Sequence, residues 1–108
     1  MPTPKLPHRR RLAIEDVDGH SNHIAERNLE AALRFLDAIE STVELLCRFP
    51  EAGGMVPTTR PEAKGLRAKL VTEFANYVIL YFVTSTTIDI VRVIRGGQDL
   101  DKIALQSR

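Results

Sequence analysis

Four basic side chains lie on the segments of the sequence that most resemble β-strands, where they could bind phosphates or a protein surface. They are Arg67 and Lys69 in the stretch GLRAKLV, and Arg92 and Arg95 in the stretch TIDIVRVIR. Alternation along a strand places Arg92 on the face of Ile90 and Ile94 and Arg95 on the opposite face. The four basic residues therefore cannot share one face. A simpler hypothesis is that charged residues on an exposed edge strand serve only to keep the protein soluble.

Three potential metal ligands, Asp16, His20 and His23, are spaced at i, i+4 and i+7 and would lie near one face of a helix. We nevertheless expect no metal ion there and no cofactor elsewhere, although either histidine could make the protein sensitive to pH near about 6.5. Cys47 lies beside an apolar stripe and has no identifiable base nearby. A small buried side chain is therefore a better interpretation of Cys47 than a nucleophile.

The composition describes one ordinary domain and excludes several function classes. The chain has 108 residues, 15 Lys and Arg, 14 Asp and Glu, and a net charge of +1, so bulk charge does not indicate nucleic-acid or membrane binding. Its longest apolar run, from Tyr77 to Val83, is much shorter than the roughly 20 residues of a membrane span. With a single cysteine and no signal-peptide pattern, we expect a cytoplasmic protein without an internal disulfide.

The first half of the sequence predicts a helical hairpin. Residues 1–7 carry three prolines and are expected to form a flexible arm. The segment HRRRL at 8–12 is expected to form an edge strand with Leu12 in the core. A helix is expected over 13–25, and a second helix is expected to begin after the N-cap Asn28 and to end before Pro50. Its apolar stripe follows steps of three and four: Leu29, Ala32, Leu36, Ile39, Val43 and Leu46.

The second half predicts three antiparallel strands, because short loops separate apolar segments of strand length. These segments cover residues 65–71, 76–83 and 87–95, and the middle one is apolar enough to be covered on both faces. After Gly96 and Gly97, the tail 96–108 contains DLDKIAL, which fits a short helix. The fold class is therefore α+β, with a helical hairpin packed on a small antiparallel sheet of three to four strands.

The order of these motifs resembles the RelE/ParE superfamily of toxins over Leu12 to Leu105. The segments that carry the resemblance are AIEDV, HIAERNLEAALRFLDAIESTVELL, FPEAGG, GLR, YVILY and VRVIRGGQDLDKI. The resemblance implies a sheet with a helical hairpin, often followed by a C-terminal helix. It also implies the toxin half of a bacterial type II toxin–antitoxin pair. His20 and His23 stand where the family usually has apolar or aromatic residues.

Two activities occur on this scaffold, and the scaffold does not choose between them. RelE-like members cleave messenger RNA on the ribosome, and ParE-like members bind and block DNA gyrase without being enzymes. A ribonuclease needs an acid and a base beside its cations, and no Tyr or His follows Tyr81. We therefore expect a ParE-like gyrase inhibitor. The alternatives are a ribonuclease using Arg67, Lys69, Arg92 and Arg95, or an inactive protein of the same fold.

The resemblance also suggests which residues meet the partners. The expected gyrase-binding residues are Arg67, Arg95, Gln98, Asp99, Leu100, Lys102 and Ile103. A cognate antitoxin is expected to bind exposed apolar residues of the second helix, namely Leu33, Phe35 and Leu45. The cluster HRRR at 8–11 could contact operator DNA as part of a toxin–antitoxin complex. Simpler hypotheses are a surface ion pair of Arg95 with Asp89 or Asp99 and a C-terminal helix that only covers the core.

Overall fold

A computed structural model describes residues 3–97 and 99–106 of the chain. It contains three α-helices, a 3-10 turn at Pro61–Ala63 and one mixed sheet within those ranges. The helices are α1 (Arg11–Ala25), α2 (Leu29–Arg48) and α3 (Leu100–Leu105). The strands are β1 (Leu6–Arg9), β2 (Gly54–Met55), β3 (Arg67–Val71), β4 (Phe74–Val83) and β5 (Thr87–Arg95).

The helical hairpin is confirmed, with the predicted cap on its second helix. The side chain of Asn28 accepts a hydrogen bond from the Ala31 N–H at 3.0 Å, which satisfies one of the donors that every helix start leaves unpaired. Helix α1 begins at Arg11, so Leu12 belongs to the helix and not to a strand. Leu29 and Leu36 of the predicted stripe are exposed at its border.

The α+β fold is confirmed, and the sheet has five strands in the order β1-β5-β4-β3-β2, slightly more than expected. Strands β3, β4 and β5 form the predicted antiparallel meander. Strand β2 is only two residues long and gives no periodicity that sequence analysis could detect. Strand β1 pairs with β5 in parallel and begins at Leu6, so residues 6 and 7 are not part of a flexible arm.

The sheet is covered on both faces, as the apolar middle strand predicted. Tyr77, Ile79 and Tyr81 of β4 face the helical hairpin and belong to the main core. Val78 and Leu80 face the other way and form a second core with Ala104 of α3. The middle of β4, from Tyr77 to Tyr81, is therefore buried on both faces, whereas Ala75, Asn76 and Val83 near its ends are exposed.

A β-bulge in β5 changes which side chains share a face. Leu80 lies opposite Arg92 whereas Tyr81 lies opposite Ile90, so Val91 is an extra residue in β5. The prediction that Arg92 shares a face with Ile90 is therefore wrong, since Ile90 packs in the main core and Ile94 in the second. No helix within residues 3–97 and 99–106 is long and apolar enough to cross a membrane.

Candidate functional site

Arg67 holds a loop and does not project freely from the sheet. Its Nη1 donates to the Gly53 carbonyl at 2.6 Å. The hydroxyl of Tyr81, directly opposite Arg67 across the sheet, donates to the Pro50 carbonyl at 2.8 Å and accepts from the Gly53 N–H at 2.9 Å. Burial raises the pKa of Tyr81, so the hydroxyl keeps its proton for this bridge. Arg67 and Tyr81 together fix the loop that follows α2.

Arg92 forms a bidentate pair with Asp16 of α1, with N–O distances of 2.7 and 2.8 Å. The same carboxylate accepts the backbone N–H of Val93 at 3.0 Å. One turn later, His20 Nε2 lies 2.8 Å from the Val93 carbonyl. Strand β1 ends at Arg9 and pairs with β5 only as far as Ile90. Asp16 and His20 occupy the next part of that edge of β5, where a further strand could otherwise pair.

Two of the three potential metal ligands have a structural role. Asp16 and His20 bind the backbone of β5, whereas His23 is exposed and lies 3.9 Å from Glu26. No group of three His, Cys, Asp or Glu side chains in the described part of the chain could hold a metal ion. Burial raises the pKa of the Cys47 thiol, which makes it a weaker nucleophile at neutral pH.

The four basic residues of the sheet do not converge. Arg95 lies opposite Tyr77 and its guanidinium sits 5.9 Å from that ring, on the helical face. Arg67 lies opposite Tyr81, four residues further along β4, which corresponds to about 13 Å of strand. Lys69 follows Arg67 on the same face of β3, and Arg92 points to Asp16. The arrangement does not surround one phosphate.

The C-terminal helix is fixed by a cluster that we call the C-terminal latch, formed by Thr58, Arg60 and Asp101. The Asp101 carboxylate accepts from Thr58 Oγ1 at 2.6 Å and lies 2.7 Å from Arg60 Nη1. Hydrogen bonds from Asp99 and Thr58, with the charge of Arg60, lower the pKa of Asp101 to about 2. The pKa of Asp99 is raised, chiefly by its hydrogen bond to Asp101.

The tail residues that are expected to bind gyrase differ in their exposure. Leu100 and Ile103 pack against the second core, which fits the simpler hypothesis of a covering helix. Asp99 and Lys102 are exposed. Gln98 lies outside the described residues. Of the two aspartates considered as partners of Arg95, Asp89 pairs with Arg10 and Asp99 lies 3.8 Å from Arg60.

Of the three apolar residues expected to be exposed for an antitoxin, Phe35 is buried, so that part of the prediction is wrong. Phe35 is 0% exposed and packs edge-on against Phe74 and Tyr77, because the buried face of α2 is wider than the predicted stripe. Leu33 is 55% exposed and Leu45 is half-buried. Exposed apolar residues of both helices form what we call the hairpin surface: Ile14, Leu29, Leu33 and Leu36.

The basic cluster at residues 8–11 is not an open cationic patch. Arg9 binds Glu40 and Arg10 binds Asp89, each through two hydrogen bonds, and Arg11 pairs with Glu15. These ion pairs neutralise the three arginines locally. The expectation that this cluster contacts operator DNA gains no support from the geometry.

Sequence analysis did not single out Tyr81, the C-terminal latch or Phe49. Tyr81 appeared only as part of a strand and as the last tyrosine of the sequence, and Asp101 only within the predicted tail helix. Phe49, in the loop after α2, is 61% exposed. A Phe-Pro pair at the end of the helix, three residues before Gly53 and Gly54, was the available signal, since the proline ends the helix and the phenylalanine is a large aromatic side chain.

Comparisons with known proteins agree with this architecture. The family model for the ParE toxin of type II toxin-antitoxin system, parDE, matches residues 9–100. No curated protein sequence matches the chain.

Two solved structures have a similar fold. A chain of the chromosomal ParDE TA system from P. aeruginosa is 23% identical with a TM-score of 0.67, over 84% of this chain and 95% of that one. A chain of the toxin-antitoxin complex RelBE2 from Mycobacterium tuberculosis is 23% identical with a TM-score of 0.54, over 87% of this chain and 100% of that one. At these identities the similarity shows the fold alone. Since the family match spans most of the sequence, this chain belongs to the ParE toxins of type II toxin-antitoxin systems.

Proposed function

We propose that this chain, as a single toxin domain, arrests growth by binding DNA gyrase and does not cleave RNA. The observation that carries the proposal is the separation of the four basic residues that a ribonuclease would need. Arg67 lies opposite Tyr81 of β4 and Arg95 opposite Tyr77, about 13 Å further along that strand, while Arg92 is held by Asp16 of α1. A phosphorane-like transition state needs cations placed around one phosphate, which this arrangement does not provide.

Tyr77, Tyr81 and His20 are also poorly placed to act as the acid or the base of such a reaction. Cleavage at a 2′-hydroxyl needs a proton acceptor and a proton donor within hydrogen-bonding reach of the reacting oxygens. The two tyrosines, Tyr77 and Tyr81, are buried, and the hydroxyl of Tyr81 is already used by the Pro50–Gly53 loop. His20 is bound to the edge of β5. These observations favour a function by protein binding.

A cognate antitoxin is the second proposed partner. Both structural neighbours come from toxin–antitoxin systems. On this chain the hairpin surface offers Leu29, Leu33 and Leu36 at spacings of four and three along α2, a spacing that fits the apolar face of an amphipathic helix. Leu45, half-buried and nine residues after Leu36, lies about 180° away around α2 and would therefore belong to a separate contact. Operator DNA would be bound by the complex and not by the toxin alone.

A paired assay tests the proposed activity. The purified chain is added to DNA gyrase in a supercoiling reaction and, separately, to translating ribosomes whose messenger RNA is mapped for cuts. We expect inhibition of supercoiling at near-stoichiometric toxin, with intact messenger RNA. Codon-positioned cuts that disappear in Arg67→Ala would replace the proposal by ribonuclease activity. No effect in either assay would indicate an inactive protein of this fold.

A further inference from the structure

A groove lies where the C-terminal end of α2 meets the sheet. It has a volume of about 480 Å³ and is open to solvent. Phe49, Pro50, Ala52 and Val83 provide its apolar lining, and Lys5, Arg48 and Arg67 provide its cations, with Glu51 as the one carboxylate of the lining. We call it the Phe49 groove.

The loop that presents Phe49 is held rigidly. The Phe49 N–H donates to the Leu45 carbonyl at 2.7 Å, and the Ala52 N–H donates to the Phe49 carbonyl at 2.9 Å. Tyr81 and Arg67 then bind the backbone on both sides of the turn. A large aromatic side chain that stays 61% exposed on a fixed backbone loses little conformational entropy on binding.

The charges around the groove favour an anionic partner. Lys5 donates to the carbonyls of Thr84 and Ser85, which leaves a third ammonium donor. Arg48 pairs with Glu44 through one nitrogen at 3.0 Å, and Arg67 uses one nitrogen on the loop. Because a guanidinium has five donors, both arginines retain donors for a carboxylate.

We propose that the Phe49 groove binds an extended acidic segment of the protein that this toxin inactivates. An apolar side chain of that segment packs on Phe49 and Val83 while a neighbouring carboxylate reaches Arg48 and Arg67. The inference rests on the proposed function insofar as the partner is DNA gyrase. The groove is separate from the hairpin surface, because Leu36, the last residue of that surface on α2, lies 12 residues and about 18 Å before the end of the helix at Arg48.

A protein segment fits the groove better than a nucleic acid does. Single-stranded nucleic acid requires a continuous cationic track beside stacking aromatics. Here Glu51 interrupts the cations, and Phe49 is the one aromatic residue in the lining. A mixed apolar and cationic pocket of this kind matches an apolar anchor flanked by acids.

The direct test uses a fluorescent peptide with the sequence Asp-Glu-Leu-Phe-Asp-Glu, followed by fluorescence anisotropy. We expect binding with a Kd below about 1 mM, weakened about tenfold by Phe49→Ala and several-fold by Arg48→Gln. Leu70→Ala and Arg11→Gln are matched controls, since they remove an exposed apolar side chain and an exposed paired arginine elsewhere. Both controls should bind like the original chain. Absence of binding, equal loss in the controls, or tighter binding of oligouridine would overturn the inference.

The same variants in the supercoiling assay separate the two proposals. If about ten times more Phe49→Ala than original protein is needed for the same inhibition of supercoiling, both the groove and gyrase as its target are supported. Inhibition that is equal for the two overturns the groove and leaves gyrase as target. If the original chain does not inhibit gyrase at all, the proposed function fails and the peptide measurement alone decides the groove. Unchanged circular dichroism and melting temperature of Phe49→Ala verify that the variant is folded.

Discussion

At the scale of single residues, Gly53 is the position with the least freedom. A Cβ atom there would lie 2.6 Å from the Tyr81 hydroxyl oxygen and 2.9 Å from the Ala68 carbonyl oxygen. The loop after α2 therefore approaches β3 and β4 as closely as a backbone can. The exposed position of Phe49 depends on this contact.

Gly53→Ala should consequently destabilise the protein by about 1–3 kcal/mol, because a buried tyrosine or the β3 backbone must move. Gly54→Ala is the control, since no atom lies within 4 Å of its added Cβ and the neighbouring change should cost little. Urea unfolding of both variants measures the difference. Equal midpoints for the two would contradict the close packing described for Gly53.

Asn28 offers a second test at this scale. Its side chain accepts the Ala31 N–H, and replacing an N-cap by alanine typically costs about 1 kcal/mol. Asn28→Ala should lower the free energy of unfolding by that amount, whereas Asn22→Ala, at an exposed position of α1, should change it by less than about 0.5 kcal/mol. A similar loss from both variants would show that the cap has no special role.

At the scale of elements, α1 acts as the lateral cover of β5. Asp16 serves two donors, the Arg92 guanidinium and the Val93 N–H, and His20 meets the Val93 carbonyl. A strand edge that would otherwise be free to pair with another chain is thereby closed.

Asp16→Ala should cost about 2–3 kcal/mol, since it leaves a half-buried guanidinium and a backbone N–H without their acceptor. It should also increase hydrogen exchange at the Val93 amide. Asp18→Ala, an exposed position of the same helix, should have little effect on either measurement. Protection of Val93 that survives Asp16→Ala would rule out this role of the carboxylate.

Docking of α3 should depend on acid pH through the C-terminal latch. Since the pKa of Asp101 is lowered from 3.8 to about 2, its charged form stabilises the docked helix. The stabilisation by Asp101 is complete above about pH 4 and is lost as the pH falls towards 2. The pKa of Asp99 is raised, so the charged form of Asp99 is disfavoured in the folded protein and its protonation at acid pH stabilises the fold. We expect the Ala104 methyl NMR signal, buried in the second core, to shift over that interval.

Asp101→Asn removes the titrating group and should abolish that shift, while Asp99→Asn should retain it. A constant Ala104 signal between pH 4 and pH 2 in the original chain would contradict the assignment of the latch to Asp101.

At the scale of the whole molecule, elements were easier to predict from the sequence than their contacts. The periodicities of α2 and β5 predicted those elements because each period repeats over many residues. The partner of Arg92 was not predictable, since Asp16 lies 76 positions away in the sequence. The burial of Phe35 was missed because the hairpin packs on aromatic residues of β4 and so buries a wider face of α2. Strand β2 is too short to show any period.

Removal of residues 1–9 should be far more damaging than removal of residues 1–4. The longer deletion removes β1 with its hydrogen bonds to β5, and the Lys5 N–H bond to the Cys47 carbonyl, with an expected cost of roughly 2–4 kcal/mol. It also exposes the edge of β5 to aggregation. Urea unfolding and light scattering of the two truncated chains measure these effects. Equal stability of both would mean that β1 contributes nothing to the fold.

The parallel pairing of β1 with β5 also sets the order in which the protein can be completed during translation. Leu6 pairs with Thr87, so the first strand waits for about eighty further residues, which take roughly 4–16 s to synthesise at 5–20 residues per second. The helical hairpin can form in that interval, but it has no sheet to cover. The sheet of a newly made chain is therefore incomplete until β5 has been synthesised, and the apolar face of the hairpin stays uncovered for several seconds of translation.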